Sequence, residues 1–240
     1  MEKASGSSCD LSSHHFECVA CSDNSVFCVS VEKQCFRLVE DPRGMYIFKS
    51  ISSLDRLKIK SVACGADFVL CLTVTGQIYS QGIGSRGQLG LEDLDDRDEF
   101  TFIEALAPVT ITRISAGKWH AACVTGNKPL ITSLLLDTGD LYTWGWNDCG
   151  QLGLPSIKLR KSDPLYKNKD LSECDSVVCC PRLVDLPQDA CVVEVSHRSM
   201  SCKAWLLHVD KMTIYIYISI YMYICIYIFS DCDALANFFC

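Results

Sequence analysis

The residues best suited to chemistry in this 240-residue chain are its cysteines, one histidine and a glycine-spaced loop. Cys18 and Cys21 form a CxxC pair, and with Cys28 and Cys35 they offer four thiolates, a ligand set suited to structural zinc. A strand competes with that reading. Cys21 and Cys28 are seven residues apart, as are Cys64 and Cys71 in a stretch that recurs later, so all four read as small buried apolar residues. Cys179 and Cys180 are adjacent and poorly placed to chelate one ion. His120 has the chemistry of a general base, yet no Ser or Cys nucleophile stands near it in a recognisable elbow. Residues 82–87 (GIGSRG) have the form GxGxxG, but Gln88, Leu89 and Gly90 follow where a dinucleotide site needs a long helix and a downstream acid. Asp95, Asp96, Asp98 and Glu99 read as a solvated charge run. Walker, HExxH and triad motifs are absent, so the chain reads as noncatalytic, with no cofactor, metal or small-molecule substrate.

Composition narrows the field further. With 22 Lys and Arg against 29 Asp and Glu, the net charge of -7 opposes nonspecific attraction to a polyanion over the whole surface. Seventeen cysteines would suit a disulfide scaffold in a short secreted chain, but residues 1–15 contain no apolar signal-peptide core. A reducing compartment with mostly free thiols is expected.

Those residues sit on a repeated element. Residues 61–91 (SVACGADFVLCLTVTGQIYSQGIGSRGQLGL) recur as 113–154 (RISAGKWHAACVTGNKPLITSLLLDTGDLYTWGWNDCGQLGL). Gly65 maps to Gly117 and Cys71 to Cys123 at an offset of 52; Gly76, Tyr79, Gly82, Gly87 and Gly90 map to Gly139, Tyr142, Gly145, Gly150 and Gly153 at 63. The second copy therefore carries 11 extra residues, placed at a hairpin tip over 126–137, where lengthening is cheap. Each copy reads as strand, turn, strand and glycine-punctuated loop. The late glycines suit positive φ or close approach, with Gln88 and Gln151 between them to bond exposed main-chain groups. A weaker copy precedes at Val19 to Cys28, and 181–196 reads as a partial copy whose expected glycine and hairpin do not arrive. Residues 155–178 read as a long polar surface loop.

A unit of roughly 50 residues with glycine and aromatic signatures suggests a β-propeller blade. Residues 116–120 (AGKWH), 138–145 (TGDLYTWG, with Trp144) and 150–153 (GQLG) resemble the repeat of the regulator of chromosome condensation family, over about residues 60–196. The resemblance makes His120 a packing and hydrogen-bonding residue. His120 corresponds to Phe68 and Trp144 to Gln81, so less regular packing is expected in the earlier copy. The expected fold is all-β, a partial propeller of two to three antiparallel blades with an unclosed ring, because a seven-blade ring demands on the order of 350 residues. Its segments are 1–59, a degenerate first blade; 60–111 and 112–180, two repeats; 181–211, a partial repeat; and 212–240, a tail outside the family.

Residues 212–229 (MTIYIYISIYMYICIYIF) hold five of the nine tyrosines and carry no charge. An alternating ATA and TAT run read through from noncoding DNA would encode them, which suits a truncated product. A tail anchor competes on length, while the period-two pattern suits a strand. The resemblance further implies a nuclear or cytoplasmic, chromatin-associated adaptor whose blade loops contact a JmjC-type histone-modifying enzyme. The alternatives are guanine-nucleotide exchange on a small GTPase, the founding member's activity, or a tail-anchored membrane protein.

Overall fold

Val62 faces Cys71 across a strand pair, Ile114 faces Cys123 in the same way, and so does Val19 with Cys28. The computed structural model describes residues 15–126, 139–156 and 175–185, and the backbone of four further strands between 190 and 229. The chain is all-β. β1 (Phe16–Cys21), β2 (Val26–Ser30), β3 (Cys35–Glu40) and β4 (Tyr46–Ser50) form one antiparallel sheet. β5 (Ile59–Cys64), β6 (Phe68–Thr73), β7 (Ile78–Gly82) and β8 (Arg97–Phe102) form the second. The third comprises β9 (Ile111–Ala116), β10 (His120–Thr125), β11 (Leu141–Trp146) and β12 (Val177–Leu183).

A fourth sheet orders β13 (Ala190–Arg198), β14 (Ser201–His208), β15 (Thr213–Ile220) and β16 (Tyr223–Phe229). It draws two strands from the expected partial repeat and two from the Ile/Tyr tail. A hairpin does arrive after Ala190, although sequence reading expected none, because β13 pairs with β14 over nearly their whole length without a glycine signature. The alternating Ile and Tyr residues run as strands, and among the described residues no helix is long and apolar enough to cross a membrane. The first strand of each sheet lies beside the first strand of the next, which gives a propeller arc with no closed ring.

Period-two alternation sorts side chains between neighbouring blades. On β6, Phe68, Leu70 and Leu72 face the third sheet in one core cluster, while Val69 and Cys71 face the first sheet in another. Every residue of β6 and of β10 is buried, so the second strands read as near-continuous apolar runs rather than as alternating ones. Short 3-10 turns at Ser52–Leu54 and Glu104–Leu106 link the sheets, with Leu54 and Leu106 buried at equivalent places. Of the inserted tip over 126–137, residues 127–137 lie outside the described residues.

The cysteines divide by face. Cys28 packs with Phe36 and Phe48 on one side of the first sheet, and Cys35 packs with Val29 and Cys71 on the other. Cys21 is exposed, contrary to the buried role expected of it, because β1 ends there and its partner Val26 opens the turn. Burial, reinforced by a hydrogen bond with Cys35, holds the Cys71 thiol well above its ordinary range, and burial pushes Cys64 up to about 12. These thiols stay protonated at neutral pH, which suits neither a nucleophile nor a metal ligand.

The second and third sheets are locked by their glycine loops. Trp144 is fully buried, and its Nε1–H donates to the Gln88 carbonyl of the preceding blade at 3.0 Å. Gly90 makes room: it holds φ +72°, and a Cβ there would lie 2.8 Å from Trp144 Nε1. Gly153 holds nearly the same φ, +73°, but a Cβ there would meet only Val184 Cγ1, at 3.3 Å. We therefore expect Gly90→Ala to cost about 2–4 kcal/mol, backbone strain plus overpacking, and Gly153→Ala only about 1–2 kcal/mol. Urea denaturation of both variants measures the difference.

Candidate functional site

The loop ends of the strands gather at one face. The turns 22–25, 65–67 and 117–119 leave the first strands of three sheets there, and the loops after β7 and β11 emerge beside them. The signature residues lie under this face or within the sheets. Gln88 is fully buried, and its Oε1 accepts from the Arg86 N–H at 2.8 Å; Gln151 repeats this with the Cys149 N–H at 2.9 Å. Both were expected to bond exposed main chain, but they turn inward because their loops fold over them. Gly87 N–H donates to Gly84 O at 2.7 Å and Gly150 N–H to Asn147 O at 3.0 Å; Gly90 and Gly153 close the next turn in the same way. The amides of Gly84, Arg86, Gly87 and Gly90 are thus engaged within the loop or by Asp96 Oδ1, which accepts from Gly84 N–H at 2.9 Å. Asp96 is a loop brace rather than a purely solvated charge.

The remaining signature positions are spread over the sheets. Gly82 and Gly145 hold φ +121° and +106° where β7 and β11 pass close to the backbone of Phe68 and His120. Gly76 packs at the opposite end against Thr110 and Ile111, and Gly139 packs against Thr125. Tyr79 and Tyr142 face Cys71 and Cys123 across their strand pairs. A Cβ on Gly65 or Gly117 would strike the ring of Phe68 or His120, so the two rings fill the same place in successive blades. Gln81, at the position of Trp144, turns to its own outer strand and donates to the Asp98 carbonyl. The two sheets otherwise share one register.

His120 is 1% exposed, and burial lowers its pKa from 6.5 to about 4. The folded protein keeps it neutral, whereas the unfolded chain takes up a proton near pH 6.5. Stability conferred by the neutral ring is therefore present above that pH and lost as pH falls toward 4. His120→Phe, the residue type at the equivalent Phe68, removes this term. On acidification from about pH 7.5 to pH 4, wild type should lose on the order of 3 kcal/mol relative to the variant, measured by denaturation at each pH.

Among the described residues, no group of three or more His, Cys, Asp or Glu is placed to hold a metal ion. The loop face instead concentrates cations on aromatic rings. The Arg86 guanidinium lies 4.2 Å from the centroid of the Trp119 ring and Lys118 Nζ lies 4.6 Å from it. Trp146 meets Trp119 edge to face at 5.2 Å, and its main-chain N–H donates to the Trp119 carbonyl at 2.9 Å. Lys118 O accepts from Ala66 N–H at 3.0 Å, which ties this turn to the second blade. Asn147 is fully buried: its side chain donates to the carbonyls of Pro155 and Asp175, both at 3.1 Å, and accepts from Leu152 N–H. Sequence reading passed over Asn147, Arg86 and Trp146. The 63-residue offset places Asn147 opposite Gly84 and Trp146 opposite Ile83, so neither is marked by a repeated residue type.

Comparison with known proteins agrees with this architecture. The regulator of chromosome condensation (RCC1) repeat matches residues 75–124 and 138–197. The chain is 38% identical to mouse "RCC1 domain-containing protein 1" over 42% of its own length and 24% of that protein, and 34% identical to the human protein over 52% and 30%. It thus spans less than a third of the relatives it matches. Human WBSCR16 shares the fold with a TM-score of 0.62 at 17% identity, covering 88% of this chain and 50% of that one. Yeast RCC1 (Prp20), solved bound to Kap60, does so at 0.57 and 16%, covering 85% and 42%. Sheet order, glycine loops and matched segments converge: residues 75–124 and 138–197 carry RCC1 repeats, and the chain is built as part of a β-propeller.

Proposed function

We propose that this chain is a noncatalytic protein-interaction scaffold that presents its loop face to a partner. One observation carries the reading: Arg86 and Lys118 converge on Trp119 at a partly exposed rim while Gln88, Gln151 and most of the signature glycines are buried in the fold. Aromatic and arginine side chains are the groups that most often anchor protein interfaces. The neutral, buried His120 and the protonated thiols supply no reactive group beside that rim.

The finer reading is that of a chromatin-associated adaptor, nuclear or cytoplasmic, whose partner is a JmjC-type histone-modifying enzyme. The likeness to RCC1 domain-containing protein 1 supports it. The tagged 240-residue chain should co-purify with such an enzyme, and Trp119→Ala should reduce recovery by about tenfold with little change in thermal stability. Absence of the enzyme from the complex rejects the adaptor role.

Nucleotide exchange is the second reading, supported by likeness to yeast Prp20p, whose crystal structure was described with its binding to Gsp1p and histones (TM-score 0.54, 17% identity, 85% of this chain and 44% of that one). A nucleotide-release assay separates the two. We expect no acceleration with this chain, and accelerated release from a small GTPase would favour exchange.

A further inference from the structure

Resting on the scaffold reading, we propose that the rim around Trp119 receives an extended acidic peptide segment of a protein partner, with carboxylates against Arg86 and Lys118. The charge pattern carries the argument. Among the described residues, the ion pairs join Lys33 to Glu17, Arg97 to Asp93 and Arg182 to Asp175, so neither Arg86 nor Lys118 meets a carboxylate. Two uncompensated cations held on one indole make a locally positive spot on a chain of net charge -7.

The surface also has a track. Lys118 lines a cavity of about 390 Å³ together with Cys21, Asp23, Cys64, Gly65 and Gly117, where the inner strands of three blades end. At Ser22 and Ala66 this cavity meets a cleft of about 350 Å³ between the first two blades, lined by Arg37 and Arg97 together with Asp67 and Asp98. There Arg37 lies 5.7 Å from the Phe27 ring centroid, and its guanidinium donates to Ser25 Oγ at 2.7 Å without a carboxylate partner. Cations already stacked on rings need little ordering when a ligand arrives, which favours binding. Two adjoining open clefts, each with a cation held on a ring at its edge, fit an extended chain. A nucleic acid, whose phosphates demand many cations in succession, finds too few of them along this track.

Fluorescence anisotropy with a fluorescein-labelled oligoglutamate tests this, with oligolysine and oligothymidylate of matched length as controls and the whole chain as receptor. Oligoglutamate should bind, weaken as salt rises, and quench tryptophan emission. Arg86→Gln combined with Lys118→Gln should reduce affinity by about tenfold or more, and Arg86→Glu with Lys118→Glu should shift preference to oligolysine. Lys33→Ala, whose side chain pairs with Glu17 elsewhere, should bind as wild type does, and circular dichroism verifies that each variant is folded. Absence of oligoglutamate binding, equal binding by wild type and the double Gln variant, or preference for oligothymidylate overturns the proposal. If the partner complex of the preceding section survives in the double Gln variant, the acidic-peptide proposal falls and the scaffold reading stands. If no partner complex forms at all, the scaffold reading itself falls.

Discussion

The joint between the second and third sheets depends on one blade inserting a large side chain into a gap left by its neighbour. Trp144 reaches from the third sheet to the Gln88 carbonyl of the second, over a glycine that has no side chain to obstruct it. A propeller has no hydrogen-bonded ladder between blades, so face-to-face packing must supply the cohesion that pairing supplies within each sheet. That is why Gly87 also lies against the β12 backbone at Val178 and Cys179, and why the Glu92 N–H donates to Cys179 O at 2.9 Å. The glycine loop of one blade is the seat of the next.

The loop face follows from that joint. Arg86 belongs to the loop whose glycines and Gln88 are fixed by the third blade, and Trp119 belongs to a turn whose Lys118 carbonyl is bonded to the second. The stack between them exists only when both blades are seated. Arg86 is therefore brought to the ring by the fold, whereas Lys118 is the chain neighbour of Trp119, and a loosened joint would part the two cations before it unfolded either sheet.

This explains what could and could not be read from the chain. The offset of 52 residues located equivalent strand pairs, so that Val62 with Cys71 and Ile114 with Cys123 emerge in register. Glycine spacing located the turns, since positive φ leaves a strong trace in residue type. The stack of Arg86 on Trp119 left no such trace, because its members lie on different sheets and neither breaks a local pattern. Asn147 was hidden for a related reason: the same brace in the preceding blade is built from the Gly84 amide and Asp96, with a different residue type at the matching position. The exposure of Cys21 was missed because repeat alignment transfers register, whereas burial depends on how far each strand extends.

The matched segment 75–124 begins in a turn before β7 and ends within β10, taking two strands from each of two sheets. The covalent unit and the folded unit are thus out of phase, like courses of brick laid in running bond. Duplicating such a unit lengthens the arc by one whole sheet while stitching the newcomer to both sides with continuous backbone. Growth of this kind never creates a blade attached by packing alone, which gives a lineage freedom to vary blade number without first evolving a new adhesive surface.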